Sequence, residues 1–147
     1  MSTKDMFSDA RVSFNLKAAT KDQVIDELIE ILEKDGKIID RQQFKAAVLK
    51  REEEFSTGIG MGIAIPHGKS SAVKEASIVF GKSEKGIDYE SMDGEPAHLF
   101  FLIAVPEDSN DVHLRALSEI SRKLMHTEIR EELLKAQSYD QFITVFD

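Results

Sequence analysis

The sequence has no cysteine, no tryptophan and only three prolines. Without a thiol, disulfides, thiolate metal sites, iron–sulfur clusters and cysteine nucleophiles are excluded, so any chemistry must use other groups. No apolar run approaches the roughly 20 residues that a bilayer span needs. Met1 to Asp9 has neither the basic start nor the apolar stretch of a signal peptide. The expected location is therefore the cytoplasm, with no direct membrane insertion. Positive charge is also short: 27 Asp and Glu against 19 Lys and Arg give a formal net charge of −8. With no basic patch visible, a nucleic-acid partner is disfavoured. What remains is a chain of 147 residues, 41% apolar and 31% charged, which is the size and composition of one ordinary domain.

Residues 1–9 are polar and aperiodic and are expected to form a flexible terminus that tucks Phe7 against the body, with the folded domain spanning 10–147. From Arg11 to Leu16, the alternation of Val12, Phe14 and Leu16 with polar neighbours predicts a short strand. Thr20 with Gln23, and Asp40 with Gln43, have the spacing of helix capping boxes. The first opens a helix carrying Val24, Ile25, Leu28, Ile31 and Leu32 up to a stop at Gly36. The second opens a helix whose face of Phe44, Ala47 and Val48 extends to Arg51 and Phe55, which puts an arginine on the apolar side. Thr57 to Gly68 is glycine-rich and nearly uncharged, and reads as a loop feeding a short buried strand. Ala76 to Gly81 and Ala97 to Val105 are near-continuous apolar runs, as expected of strands covered on both faces. Gly86 and Asp93-Gly94-Glu95-Pro96 mark turns, Pro106 ends the last strand, and Asp108 to Asp111 offers caps for a helix over about 111–126. Helical segments at 128–136 and 138–146 finish the chain. This order predicts a single-domain α/β sandwich with a mixed β-sheet flanked by helices on both sides.

The most informative local feature is Ile65-Pro66-His67-Gly68. Pro66 fixes its own φ and pushes Ile65 into the extended region, which stiffens the approach to His67. Gly68 can take unusual φ/ψ and leave its amide open to an anion. A nucleophilic imidazole needs one nitrogen exposed and the other oriented, often by a backbone carbonyl, and a loop tip on a rigid sheet would supply both. An isolated Pro-His-Gly is a weak signal, and taken alone it reads first as a polar turn residue after a strand. Arg51 and His113 add context, because both stand on otherwise apolar helix faces, where a polar group must pair or line a cleft. One imidazole as phosphoryl acceptor, with a second imidazole and a guanidinium to neutralise the phosphoryl oxygens, would compose a reaction class. Competing motifs fail on spacing: Gly58, Gly60 and Gly62 do not make a dinucleotide fingerprint, and Gly68-Lys69-Ser70 lacks the earlier glycine of a P-loop. His98 reads as a satisfied core histidine and His126 as a solvated helix end. No metal-ligand spacing joins His67 and His113.

The stretch from Arg51 through Ser56-Thr57-Gly58-Ile59-Gly60 to Ile65-Pro66-His67-Gly68 resembles the active-site signature of the fructose/mannitol family (type 2) of phosphotransferase-system EIIA domains. The similarity continues through Gly86-Ile87-Asp88-Tyr89, Asp93-Gly94-Glu95-Pro96, Ala104-Val105-Pro106-Glu107 and His113-Leu114-Arg115-Ala116-Leu117, in the family's order. Within the family, the wording is closest to the fructose-type and nitrogen-regulatory branches, with Met61 standing where Asn is common. The resemblance implies that His67 is phosphorylated on Nε2 by the phosphohistidine of HPr and passes the group to a cysteine of EIIB. It matches Arg51 and His113 to the family's supporting arginine and second histidine, and implies no metal, nucleotide or organic cofactor. Because this chain has no cysteine, EIIB would be a separate polypeptide or a region outside it, with the membrane component EIIC engaged only indirectly. The expectations are PEP-dependent sugar uptake of fructose type or, alternatively, a nitrogen-related regulatory protein switched by the same phosphorylation. Docking partners in turn predicts a shallow cleft around His67 rimmed by Ile59, Met61 and Ile63.

Overall fold

The computed structural model describes residues 2–109 and 111–147. Among them, six strands form one mixed sheet and five α-helices flank it. The strands are β1 (Val12–Ser13), β2 (Gly58–Gly60), β3 (Ile63–Ala64), β4 (His67–Ser70), β5 (Ser77–Ile87) and β6 (Ala97–Pro106). The helices are α1 (Lys21–Lys34), α2 (Arg41–Glu54), α3 (Val112–Leu124), α4 (Thr127–Lys135) and α5 (Tyr139–Ile143). The sheet order is β1-β5-β6-β3-β2, with β4 also pairing to β6. β1 runs parallel to β5 and both β3 and β4 run parallel to β6, while the β5–β6 and β2–β3 pairs are antiparallel.

The two-sided burial expected of the apolar runs is resolved in β6. Phe100, Leu102 and Ala104 join the core beneath α1 and α2, while Leu99, Phe101, Ile103 and Val105 join the core beneath α3, α4 and α5. Alternate residues of one strand thus serve two layers, and each fully buried Phe, Leu or Ile contributes about 1.5–3 kcal/mol. The first cap forms with its return bond shifted by one residue: the Thr20 hydroxyl accepts from the Gln23 amide at 3.2 Å, and the Gln23 side chain accepts from the Ala19 amide, ahead of the N-cap, at 2.9 Å. The second is half made. Asp40 accepts from the Gln43 amide, but the Gln43 side chain donates to Ser71 and ties α2 to the loop after β4. Asp111 stands at the N-cap of α3 without a side-chain bond, and Asn110, within the capping stretch read from sequence, lies outside the described residues.

Four elements differ from the sequence expectation. The strand expected over 11–16 is paired only at Val12 and Ser13. β5 continues past Gly81 to Ile87, and Gly86 is not a turn but sits at φ +87° in an irregular stretch of the β5–β6 pairing. Within residues 1–9, Met6 is a core residue as well as the expected Phe7, which lies edge-on to Phe142 at 5.1 Å. The buried Arg11 guanidinium secures that segment by donating to the Met6 carbonyl and to Asp35, each at 2.7 Å. Finally, β3 and β4 share one register against β6, Ile63 facing Leu99 and His67 facing Ile103. Pro66 cannot donate to a ladder, yet its carbonyl accepts from the Ile103 amide at 2.9 Å. His67 is therefore the first residue of a strand continuing the line of β3, and not a loop tip.

Candidate active site

α2 lies across β4 because Gly68 has no side chain. A Cβ there would stand 3.0 Å from both Phe44 Cε1 and Val48 Cγ2, and both side chains are fully buried. The backbone at Gly68 is not in the left-handed region. The glycine thus permits close helix approach, and the expected conformational role is not the one it has. The approach brings the C-terminal end of α2, with Arg51, beside the start of β4.

His67 is half-buried, and its Nδ1 lies 2.9 Å from the Ile65 carbonyl. A carbonyl only accepts, so Nδ1 carries the ring proton and Nε2 keeps its lone pair. Burial lowers the pKa of His67 and the Arg51 cation lowers it further, against the opposing pull of the Ile65 carbonyl, Glu52 and Glu54. The ring is therefore neutral near pH 7. Arg51 donates through Nη1 to the Phe55 carbonyl at 3.0 Å, which fixes its guanidinium at the cleft while other donors remain available.

His113, in the first turn of α3, has its pKa lowered first by burial, then by the Lys69 cation and by the neighbouring His67 ring when that ring is protonated. Its Nδ1 is buried without a hydrogen-bond partner among the described residues. The structure thus brings Arg51, His67 and His113 together. It separates the other two histidines from them. His98 Nδ1 bonds the Ser83 carbonyl at 2.9 Å, so its ring is satisfied but half-buried, outside the expected core, and His126 stands exposed at the start of α4 beside Glu128.

A cleft of about 550 Å³ opens at His67, lined by Arg51, Phe55, Thr57, Ile59, Ile65, Glu90, Met92 and Leu117. The expected rim is corrected in two of three places. Ile59 lines the cleft, but Ile63 is fully buried in the core. Met61 sits in the two-residue turn between β2 and β3, with its amide on Asp93 at 3.0 Å. The rim is instead supplied by Phe55 and Met92, 75% and 82% exposed. Two further residues escaped the sequence reading. Lys69 follows His67 by two along β4, so it projects from the same side. Glu52 extends the stripe of Phe44 and Val48 by one more turn, and that spacing was the available signal. Among the described residues, no group of three or more His, Asp or Glu is placed to hold a metal ion, and no helix is long and apolar enough to cross a membrane.

A mixed sheet between two helical layers thus carries, at the start of one strand, a histidine held at Nδ1 by a backbone carbonyl and sharing its cleft with an arginine. The chain belongs to the EIIA 2 family of the phosphoenolpyruvate-dependent sugar phosphotransferase system, whose family model matches residues 5–147. It is 47% identical over its whole length to the fructose-specific EIIABC component of Bacillus subtilis, of which it spans 23%. It is 42% identical over 127 residues to the fructose-specific EIIA component of Haloferax volcanii, covering 86% of this chain and 82% of that protein. Among solved structures, the nitrogen regulatory protein IIA-Ntr of Neisseria meningitidis superposes with a TM-score of 0.90 at 26% identity, covering 98% of each chain.

Proposed function

We propose that His67 is a phosphoryl relay in a fructose-type sugar phosphotransferase system, charged by the phosphohistidine of HPr and discharged to a cysteine of EIIB in the cytoplasm, with the membrane component EIIC reached through EIIB. The observation that carries this reading is the Nδ1–Ile65 carbonyl contact, which leaves Nε2 as the nucleophile in the cleft shared with Arg51. In the first transfer, the Nε2 lone pair forms a bond to phosphorus while the donor N–P bond breaks and its electron pair returns to the donor ring. The His67 proton stays on Nδ1 throughout. In the second, the EIIB thiolate forms an S–P bond and the N–P electron pair returns to Nε2. Arg51, always protonated, offers guanidinium donors to the phosphoryl oxygens, and His113 offers a ring N–H. The transfers move one group between side chains and need no cofactor.

The likeness to the nitrogen regulatory protein at a TM-score of 0.90 favours a second reading, in which the same phosphorylation controls protein partners. Intact-mass analysis after incubation with phosphoenolpyruvate, enzyme I and HPr tests both. The expected result is one acid-labile phosphoryl group on the wild type and none on His67→Ala. Discharge on adding EIIB supports the transport role, and a charged protein that no EIIB discharges supports the regulatory one. No phosphorylation of the wild type refutes both.

A further inference from the structure

Near its C-terminal end, α2 carries a carboxylate into the interior. The Glu52 side chain is 5% exposed, and a carboxylate so buried is retained only where donors surround it. Four do. The Thr57 amide donates at 3.0 Å, the Thr57 hydroxyl donates to the other oxygen, the Tyr89 hydroxyl donates at 3.0 Å, and Lys21 Nζ pairs with it at 3.1 Å. Lys21 also bridges to Glu90. None of these groups is the reacting imidazole, but Thr57 leads to it. The Thr57 carbonyl accepts from the Ile65 amide at 3.0 Å, and the carbonyl of that same Ile65 accepts from His67 Nδ1 at 2.9 Å. One continuous path, through the backbone amides and carbonyls of two residues and no mobile side chain, connects the buried carboxylate to the ring proton.

We infer that Glu52 is a positioning residue for His67: by pinning Thr57 it fixes the Ile65 peptide whose carbonyl holds the Nδ1 proton, and so decides which ring nitrogen receives the phosphoryl group. The inference rests on the reading of His67 as the phosphoryl acceptor. The path explains why the carboxylate is built into the protein at all. Its cationic partner is Lys21, so neutralising Arg51 is not its task. Its donors come from α1, from the segment after α2 and from the segment after β5, so it sets the mutual position of three pieces of chain around one imidazole. Tyr89 holds its proton strongly, because burial raises its pKa well above the ordinary value and the neighbouring Glu52 charge raises it further. The Tyr89 hydroxyl is therefore a constant donor over the working pH range.

The test compares wild type with Glu52→Gln, Glu52→Ala and Lys21→Met. Glu52→Gln keeps the size of the side chain, so it remains informative where the alanine variant does not fold. ¹⁵N spectra of the His67 ring, recorded on the unphosphorylated proteins, read the tautomer directly. The wild type should show the proton on Nδ1. In the Glu52 variants both tautomers should appear, phosphoryl transfer from HPr should fall about tenfold in kcat with KM nearly unchanged, and ³¹P spectra should show a share of the phosphoryl group on Nδ1. Lys21→Met loosens the tie to α1 but leaves both Thr57 donors on the carboxylate, so it should keep the ring proton on Nδ1. Folded Glu52 variants with His67 wholly protonated on Nδ1 and wild-type kcat would overturn the inference. A wild type that is never phosphorylated would overturn the acceptor reading instead, while the tautomer measurement would still decide the link from Glu52 to His67.

Discussion

Gly68→Ala is the substitution that most directly tests how the site is assembled. The added methyl would stand 3.0 Å from Phe44 Cε1, 3.0 Å from Val48 Cγ2 and 3.4 Å from the Val48 backbone nitrogen. Ordinary carbon contacts begin near 3.5 Å, so α2 must move or two fully buried side chains must leave their wells. Overpacking of this kind costs about 1–3 kcal/mol, which for a domain of this size lowers Tm by about 2–4 °C per kcal/mol. Because the yielding element carries Arg51, transfer to His67 should slow as well. The decisive measurement is a double-mutant cycle by urea unfolding with Val48→Ala, which removes one of the two atoms at 3.0 Å. If close approach is the reason for glycine, Gly68→Ala should cost about half as much or less in the Val48→Ala background as in the wild type. Equal cost in both backgrounds would refute the packing account and return the glycine to a conformational or anion-binding role.

Met61 holds φ +59° in the turn ahead of Gly62 at +78°, a pair of left-handed positions where Asn-Gly is favoured; Met61→Asn should add about 0.5–1 kcal/mol, read as a higher urea midpoint, and an unchanged or lower midpoint would refute the strain. Met92→Ser and Phe55→Ser remove apolar surface that is already exposed, so Tm should hold while KM for the protein partner rises several-fold, and an unchanged KM would remove these residues from the docking rim. His67 and His113 both have pKa values lowered below 6.5, so the unfolded chain binds protons first. Their contribution to stability is full above pH 6.5 and is lost as pH falls through that value toward the folded pKa values. Urea unfolding at pH 7.5, 6.5 and 5.5 should show this slope reduced in His67→Ala, and an identical slope would refute it.

How much of this was legible in the sequence depended on whether the cause was local. The sheet covered by helices on both faces could be read because β6 is apolar at nearly every position, and such a run has no solvent face to choose. The orientation of His67 by a backbone carbonyl could be read because proline and histidine at that spacing constrain each other. β5 was cut short at Gly81 because Lys82, Ser83, Glu84 and Lys85 look like a solvated turn. Lys82 and Ser83 are nevertheless buried, Lys82 Nζ donating to the Leu134 and Ala136 carbonyls at the end of α4. Nothing near residue 82 announces a helix end more than fifty residues later.

Glu52 escaped for the same reason. On a helix that also carries Glu53 and Glu54, a carboxylate reads as solvent-facing until Lys21, Thr57 and Tyr89 are known to converge on it. The motif therefore marks the imidazole proposed as the acceptor, with Pro66, His67 and Gly68 consecutive. Its surroundings come from groups brought in by other elements: the ridge of Phe44 and Val48 on Gly68, the carboxylate behind Thr57, and the imidazole at the start of α3. A sequence scan that weighs buried-face charge as heavily as buried-face hydrophobicity would reach Glu52 by stepping four residues on from Val48. It would still miss the path to His67, which runs through the backbone of Thr57 and Ile65, where side-chain identity leaves no trace.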